Sequence, residues 1–222
     1  MQLAHNESTN GLSYGVRTNF EISMLKSLTN DVHSWLDVSC GTGFYLDNGR
    51  ANDDILCTGI DMSLPMLEKA ANCVPPLSKL ICGNFMEADA ARQSHYDLVT
   101  LLGFVYAMQD SEYDINILIR NLYLWTKPGG VCFVSILDPA SDNHVQLPAR
   151  GEHEKIGFLD DYGEWYSTRT VSTEGMNLVT PPVQWMLGLF KSMFKNVKLI
   201  DYPAEYAMIK GILATKPGGI HL

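Results

Sequence analysis

The sequence predicts a doubly wound α/β fold, in which helices cover both faces of a mostly parallel sheet. From residue 34 onwards, short apolar runs typical of buried strands alternate with segments of helical periodicity. The first run, Trp35 to Val38, leads into a loop that contains Gly41 and Gly43 and then into a helix. The second run, Ile55 to Ile60, ends at Asp61. This order of strand, glycine loop, helix and strand is typical of a nucleotide-binding β-α-β unit.

The composition indicates one acidic domain. A chain of 222 residues is long enough to bury a full core, and its 16 Lys and Arg against 25 Asp and Glu give a net charge of −9. Such a surface repels nucleic acid and anionic membranes, so we expect a small-molecule substrate, no nucleic acid and no membrane partner. The N-terminal residues lack the pattern of a signal peptide. We therefore expect a cytoplasmic protein that is a monomer or a homodimer.

The cysteines do not indicate a metal site or a disulfide framework. Their number is odd, and they lack the regular spacing of metal ligands. Most fall in predicted strands or helix ends, where a free thiol behaves as a small hydrophobic group. We therefore expect free thiols at all five positions, Cys40, Cys57, Cys73, Cys82 and Cys132.

The remaining elements of the predicted core follow in order. Residues 1–17 are polar and contain glycines, which indicates a mobile arm, and a helix follows from Thr18 to Asn30 with Thr18 or Asn19 as its cap. Apolar residues at helical spacing predict a long amphipathic helix in the second half of the core. The third strand is expected at Lys79–Cys82, and the fourth begins at Tyr96. The long helix is expected at Ser111–Thr126 and the fifth strand at Val131–Leu137.

An insertion interrupts the fold at residues 138–182. The segment 140–163 is irregular, and then two alternating runs separated by Gly175 predict a β-hairpin at Glu164–Ser172 and Met176–Thr180. A final helix is expected at 183–194, and two closing strands follow at Val197–Tyr202 and Tyr206–Thr215. The chain therefore reads as a single domain with a core at 34–137.

Two features of the first β-α-β unit indicate an adenosine-containing ligand. Glycine lets a ligand lie against bare main chain at the first loop, and Asp37 can accept from a cationic or hydroxyl group there. Asp61, at the tip of the second strand, can take both hydroxyls of a ribose. A dinucleotide-binding loop needs a third glycine where this chain has Leu46, so the glycine motif of a pyrophosphate-binding loop is incomplete.

The segment D-V-S-C-G-T-G, followed by G-I-D-M-S, resembles the first two motifs of class I S-adenosylmethionine-dependent methyltransferases. The L-x-P-G-G-strand succession after residue 123 is a further hallmark of that family. The resemblance implies a Rossmann-like, seven-stranded sheet with an antiparallel last strand, S-adenosyl-L-methionine as cofactor and S-adenosyl-L-homocysteine as product. One residue departs from the pattern, since Ser39 stands where the family usually has glycine.

The resemblance also implies which residues contact the cofactor. Tyr14 and Arg17 would fold over its methionine end, although they also fit a solvated pair before a helix. Asn84 would accept from the adenine amino group, and Phe85 fits the adenine face and a core position equally well. The full expected set is Tyr14, Arg17, Asp37, Ser39, Gly41, Gly43, Asp61, Met62, Asn84, Phe85, Leu102 and Gly103.

Methyl transfer requires positioning, and it requires a base only when the acceptor must lose a proton early. His153 and Tyr106 are the preferred catalytic candidates, although each also fits a structural role. The absence of N-P-P-Y after the fourth strand argues against a nucleobase or glutamine acceptor, and no ordered Asp/Asp/Asn set supports a magnesium-dependent mechanism. The favoured function is methylation of an O or N atom of a small molecule in natural-product or sugar biosynthesis. A cofactor-binding regulatory or scaffold protein is the alternative, and a nicotinamide dehydrogenase is disfavoured by Leu46.

Overall fold

The computed structural model describes residues 14–76, 78–87, 96–102, 112–138, 153–160, 163–170, 177–207 and 209–218. For residues 14, 112–114, 137, 153–160, 163–170 and 177–180 only the backbone is described. All statements below refer to these parts of the chain.

The central element is a seven-stranded sheet in the order β3-β2-β1-β4-β5-β10-β9. The neighbours from β3 to β5 are all parallel, whereas β10 runs antiparallel to both β5 and β9. The predicted doubly wound, mostly parallel sheet with an antiparallel last strand is therefore confirmed. Its strands are β1 Ser34–Val38, β2 Leu56–Asp61, β3 Lys79–Cys82, β4 Tyr96–Leu101, β5 Thr126–Leu137, β9 Lys195–Asp201 and β10 Ile209–Thr215.

Hydrophobic clusters cover the two faces of this sheet. Along β1 and β4 the side chains alternate, so that Leu36 and Val99 lie in one cluster while Trp35 and Leu98 lie in the other. The first cluster is completed by α4 and α5, and the second by α1 and α2. The helices are α1 Tyr14–Leu28, α2 Phe44–Asn48, α3 Leu64–Ala70, α4 Glu112–Trp125 and α5 Val183–Met193. None of the described helices is long and apolar enough to cross a membrane.

Helix α1 begins at Tyr14, four residues before the predicted start, so Tyr14 and Arg17 are helical and not part of an arm. Gly15 costs a helix only about 1 kcal/mol relative to alanine. This cost is offset by burial, because Val16 and Phe20 pack against a cluster of Tyr202, Tyr206 and Ile209. The prediction of a cap at Thr18 or Asn19 was therefore wrong, since both lie inside the helix.

The insertion contains the predicted β-hairpin, formed by β7 and β8, and an additional strand β6 that extends it to a three-stranded antiparallel sheet in the order β6-β7-β8. Its strands are β6 His153–Asp160, β7 Gly163–Thr170 and β8 Asn177–Thr180. The segment H-E-K-I-G-F-L-D has the charges and glycine that are depleted in strands, and this is why sequence reasoning left it irregular. All eight of its residues pair in register with β7, which supplies the strand structure that its own composition does not favour.

Strand β5 also begins earlier than predicted, at Thr126 instead of Val131. Thr126 pairs with Tyr96, and the register then shifts before Leu98 pairs with Val131. Gly129 has a φ of 80°, which accommodates this irregularity. The lysine, proline and glycines that end α4 are therefore already part of the sheet.

Candidate functional site

The loop between β1 and α2 has the left-handed backbone that its glycines make possible. Gly41 and Gly43 have φ values of 53° and 76°, and Ser39 has a φ of 57°. Ser39 therefore adopts the conformation that the glycine of the family motif adopts freely. For a residue with a side chain this conformation costs about 1 to 2 kcal/mol, so strain is stored in the loop.

Neighbouring atoms pack tightly against Gly43 of this loop but leave free space beside Gly41. A Cβ atom at Gly43 would lie 2.4 Å from Val74, and one at Gly59 of β2 would lie 2.6 Å from the sulfur of Cys40. A Cβ atom at Gly41 would have no heavy atom within 4 Å. The main chain at Gly41 therefore has open space beside it. That a ligand lies there stays a prediction.

Asp61 ends β2 and ties this loop to the next strand. Its Oδ2 accepts the amide of Gly41 at 2.9 Å, and its Oδ1 accepts the amide of Ser63 at 2.8 Å. A carboxylate has about four acceptor positions, so two backbone amides leave capacity for two further donors. Beside Asp61, the side chain of Met62 is 71% exposed. The pair therefore presents an oriented carboxylate and an apolar surface at one edge of the sheet.

The segment after β3 is held in a defined turn. Asn84 Oδ1 accepts the amide of Met86 at 3.0 Å, and its Nδ2 donates to Glu87 at 3.2 Å. From α4, Asn121 donates to the carbonyls of Phe85 and Met86 at 2.9 and 3.2 Å. The ring of Phe85 is buried and lies edge-on to Trp125, with 5.6 Å between centroids. Of the two positions that the sequence allowed for Phe85, the ring occupies the core position.

Asp37 belongs to β1, where it pairs with Thr100 of β4, and it is 2% exposed. The indole Nε1 of Trp35 donates to Thr100 Oγ1 at 2.8 Å, and the Thr100 hydroxyl donates to Asp37 Oδ1 at 2.6 Å. Burial raises the pKa of Asp37 to about 7; the Thr100 hydrogen bond opposes this rise, and the negative charges of Asp61 and Glu21 add to it. Asp37 is thus a carboxylate that the fold holds in an unfavourable environment for its charge.

Helix α1 reaches the same edge of the sheet through Glu21, which is fully buried. Glu21 accepts from Arg17 Nε at 3.0 Å, from the Tyr202 hydroxyl at 2.9 Å and from the Tyr45 hydroxyl. Tyr45 belongs to α2 and Tyr202 follows β9 directly, so a single carboxylate joins three separate parts of the site's border. Arg17 is held by this contact on the inner side of α1.

The sequence profile of a methyltransferase domain family matches residues 18–180, which is most of the chain. The chain belongs to this methyltransferase family. A relative from Saccharopolyspora spinosa, dTDP-4-amino-2,3,4,6-tetradeoxy-D-glucose N,N-dimethyltransferase, is 28% identical over 127 residues, which are 57% of this chain and 49% of that protein. The carboxy-S-adenosyl-L-methionine synthase of Helicobacter pylori strain Shi470 is 31% identical over 102 residues, 44% of this chain and 41% of that enzyme. The chain thus spans at most about half the length of these relatives.

Among solved structures, the methyltransferase resembles CalS10, an amino pentose methyltransferase from Micromonospora echinaspora with S-adenosylmethionine bound. The TM-score is 0.62 at 16% identity, and the match covers 96% of this chain and 100% of the other. This likeness shows a shared fold. The predicted Rossmann-like methyltransferase fold is therefore confirmed.

The structure brings several predicted site residues of the methyltransferase together. Asp37, Ser39, Gly41, Gly43, Asp61 and Met62 lie at the carboxyl ends of β1 and β2, and Asn84 lies just after β3. Leu102 is buried and packs in the cluster on the α1 side of the sheet. Their roles toward the cofactor stay predictions.

Other predicted residues lie partly or wholly outside the described part of the chain. Gly103 and Tyr106 are not among the described residues. Tyr14 is the first residue of α1, and His153 is the first residue of β6, where it pairs with Thr170; for both only the backbone is described. Their predicted contacts therefore remain untested.

Sequence reasoning missed Thr100 and the role of Glu21. A polar residue inside the apolar run V-T-L-L, opposite Asp37 in a neighbouring strand, was the available signal for Thr100. In the sequence, Glu21 has the position of an acidic residue in the first turn of the helix predicted from Thr18. Its burial depends on tyrosines 24 and 181 residues away in the sequence, so no local pattern could have shown it.

Proposed function

We propose that this methyltransferase transfers a methyl group from S-adenosyl-L-methionine to an oxygen or nitrogen atom of a small molecule. The observation that carries the proposal is Asp61, a carboxylate fixed by the amides of Gly41 and Ser63 at the end of β2. A group in that place is suited to hold both hydroxyls of a ribose. The open main chain at Gly41 supports the placement of the cofactor's amino acid beside it.

The residues of the chain position the reactants, while the cofactor supplies a methyl group on a positively charged sulfur. Asp61 would hold the sugar, Asn84 the adenine and Asp37 the amino-acid end. Fixing two reactants in this way can supply roughly 7 to 11 kcal/mol of a barrier in the best intramolecular cases. The predicted product is S-adenosyl-L-homocysteine.

For the acceptor, the proposal favours the amine of a nucleotide-linked amino sugar. The names of two similar proteins support this, because one methylates a dTDP-linked amino sugar and the other is an amino pentose methyltransferase. The sheet formed by β6, β7 and β8 follows β5, whose carboxyl end lies at the ligand edge. The proposal assigns this inserted sheet to cover the acceptor.

His153 and Tyr106 are the proposed bases if the acceptor must lose a proton during transfer. An amine that is neutral in solution needs no base before attack, whereas a hydroxyl does. His153→Ala and Tyr106→Phe should therefore impair methylation of a hydroxyl acceptor much more than methylation of an amine, measured as kcat at several pH values. An equal loss on both acceptors would indicate a role in binding or folding.

The direct test is the formation of S-adenosylhomocysteine with a panel of acceptors, in which amino sugars on dTDP are compared with the corresponding hydroxyl sugars. The proposal expects turnover that depends on the amine. Turnover with hydroxyl sugars alone would correct the acceptor but leave the methyltransferase intact. Tight cofactor binding without turnover on any acceptor would favour the regulatory or scaffold protein.

Asp61→Ala should abolish turnover at cofactor concentrations that saturate the native chain. Asp201 is a matched control, because it also ends a strand at the same edge of the sheet but is exposed and pairs with Lys210 at 2.8 Å. Asp201→Ala should leave turnover unchanged. If both variants lose activity equally, the assignment of Asp61 to the cofactor fails.

A further inference from the structure

The carboxyl edge of the seven-stranded sheet forms a step between β4 and β5. Strand β4 ends at Leu101, which pairs with Val134, whereas β5 continues to Leu137. Beyond Val134, β5 is paired with β10, whose first residue, Ile209, lies opposite Leu137. At about 3.3 Å per residue, the three additional residues raise β5 by about 10 Å above the end of β4. The step therefore has a low side of β3, β2, β1 and β4 and a high side of β5, β10 and β9.

The proposed cofactor site lies on the low side of this step. Asp61 is the last residue of β2, and Asp37 is in the neighbouring strand β1. Strand β4 lies between β1 and β5, so the high side begins two strand spacings, or about 10 Å, from β1. An acceptor that approaches the cofactor above the ends of β1 and β4 would therefore lie against β5, which forms the wall of the step.

Asp138 stands at the top of this wall. It directly follows Leu137, the last residue of β5, and its side chain is half-buried. The next residue in the sequence is Pro139, which has no backbone N–H with which to continue a strand. The inserted sheet of β6, β7 and β8 follows in the chain, and the proposed function assigns that sheet to cover the acceptor. Asp138 therefore connects the wall of the step to the proposed cover.

Farther along the high side, two charges at the same height are paired with each other. Lys210 of β10 lies opposite Ile136 of β5 on one side and opposite Asp201 of β9 on the other. Its ammonium group holds the Asp201 carboxylate at 2.8 Å. Asp138 belongs to the strand that borders the step, so its carboxylate lies closer to the low side than this ion pair does. A negative group at this border attracts a ligand group that carries or gains positive charge.

We propose that Asp138 binds the amino group of the acceptor and balances the positive charge that its nitrogen gains during methyl transfer. The inference rests on the proposed function. The nitrogen lone pair forms the new bond to the methyl carbon, while the carbon–sulfur bond breaks and its electron pair stays on sulfur. The sulfonium becomes a neutral thioether and the amine becomes an ammonium ion. The positive charge therefore moves from the cofactor to the acceptor, where the Asp138 carboxylate receives it.

This role makes Asp138 a residue that selects amines over hydroxyls. A fixed carboxylate accepts an N–H hydrogen bond from the amine before transfer, and its attraction grows as charge develops on the nitrogen. A hydroxyl acceptor loses its proton in the reaction and keeps no positive charge, so the same carboxylate offers it no comparable stabilisation. The preference for an amine should therefore depend on the charge of Asp138, whereas the binding of the cofactor should not.

Calorimetry on the chain saturated with S-adenosylhomocysteine tests the proposal without turnover. A dTDP-linked amino sugar and the matching hydroxyl sugar are titrated into the native chain and into Asp138→Asn. The variant should bind the amino sugar at least about tenfold more weakly, which is the effect of losing one charged hydrogen bond, and it should bind the hydroxyl sugar as the native chain does. Equal weakening for both sugars, or no weakening for the amino sugar, would overturn the proposal.

Two further variants separate the charge of Asp138 from its place in the fold. Asp138→Glu keeps the carboxylate and should retain the preference for the amino sugar. Asp201→Asn removes a carboxylate from the same side of the step, at the exposed strand β9, and should bind both sugars as the native chain does. Both variants and Asp138→Asn should bind S-adenosylhomocysteine with native affinity. The loss of the amine preference in Asp201→Asn as well would refute the assignment to Asp138.

The failure of this inference can be told from the failure of the proposed function. If the native chain methylates amines and Asp138→Asn keeps the native ratio of kcat/KM for amine and hydroxyl acceptors, only the role of Asp138 is refuted. If the native chain methylates hydroxyl sugars alone, the inference fails while the methyltransferase stands. If the native chain binds neither S-adenosylmethionine nor S-adenosylhomocysteine, the proposed function is refuted together with the inference.

Discussion

The two ends of the parallel sheet use aspartate in opposite ways. At the amino end, Asp97 accepts the amides of His33 and Ser34 and the Ser34 hydroxyl at 2.8 to 3.0 Å, and it pairs with Lys127 at 3.0 Å. Partial burial alone would raise the pKa of Asp97, but the hydrogen bonds from Ser34, Lys127 and His33 outweigh it and hold the pKa below its ordinary value. Asp97 is thus a satisfied charge that joins β1, β4 and β5.

At the carboxyl end, the aspartates are incompletely satisfied. Among the described residues, Asp61 accepts two amides and has capacity for more, and Asp37 accepts the Thr100 hydroxyl beside two negative neighbours. A protein gains nothing in stability from such an arrangement when it is free. The comparison therefore teaches that one end of the sheet is built for the fold and the other end for a ligand.

The largest expected effect is that of Asp61→Ala on cofactor affinity. The substitution removes charge-assisted hydrogen bonds to the ribose, each worth about 1.5 to 3 kcal/mol, and releases the amide of Gly41. Titration calorimetry with S-adenosylhomocysteine should show a loss of one to several orders of magnitude in affinity. Unchanged affinity would mean that the carboxyl end of β2 does not hold the sugar.

The next effect concerns the stability of the free protein. Between about pH 4 and pH 7 the folded chain binds a proton at Asp37 that the unfolded chain does not, so rising pH lowers the free energy of unfolding. Asp37→Asn removes this cost, which is at most about 4 kcal/mol, because a tenfold change in proton affinity corresponds to about 1.4 kcal/mol. Urea titrations from pH 5 to pH 8 should show a stabilisation that grows with pH up to about 7.

The same variant should bind the cofactor more weakly, so stability and affinity change in opposite directions. A variant that is less stable than the native chain at every pH would contradict the contrast between the two ends of the sheet. Thr100→Val is the companion measurement, because it removes the hydroxyl that opposes the rise of the Asp37 pKa while leaving Asp37 in place.

Asp97→Ala should destabilise the protein by about 1 to 3 kcal/mol, since the amides of His33 and Ser34, the Ser34 hydroxyl and the Lys127 ammonium lose their acceptor at a site that is only partly exposed. The stabilisation by native Asp97 is present at neutral pH and is lost as the pH falls through its lowered pKa. The native chain and the variant should therefore converge in acid, measured by urea unfolding at pH 7 and below pH 4. Cofactor affinity at pH 7 should not change.

The smallest effect is expected for Asp201→Ala, which breaks an exposed ion pair with Lys210. Such pairs contribute about 0 to 1 kcal/mol. Thermal unfolding should shift little, and both affinity and turnover should be native. A large loss of affinity here would show that the site extends to β9.

Much of this arrangement was predictable from local sequence. Strand ends that carry Asp37 and Asp61, with glycines after the first, predicted the sheet and brought these residues to one edge, because parallel strands place their carboxyl ends together. That a ligand binds at this edge stays a prediction. The start of α1 was not predictable, since Gly15 is a poor helix residue and the packing of Phe20 against Tyr202 is non-local. The strand β6 was missed for the same reason, because its partner β7 and not its composition makes it a strand.

The electrostatic state of the site lay beyond sequence reasoning as well. The position of Asp37 was visible, but its burial, the Thr100 hydroxyl and the neighbouring Glu21 come from three separate elements. The backbone at Ser39 was easier to predict than the electrostatics of Asp37. The sequence indicated a departure from glycine, and the structure shows that the left-handed backbone is kept, with a φ of 57°.

A crystal structure of the chain with S-adenosylhomocysteine tests the central claim most directly. The account predicts the ribose hydroxyls at Asp61, the amino acid along the main chain at Gly41 and its ammonium end beside Asp37. Adenosine bound at another edge of the sheet, or an ammonium that does not reach Asp37, would contradict it.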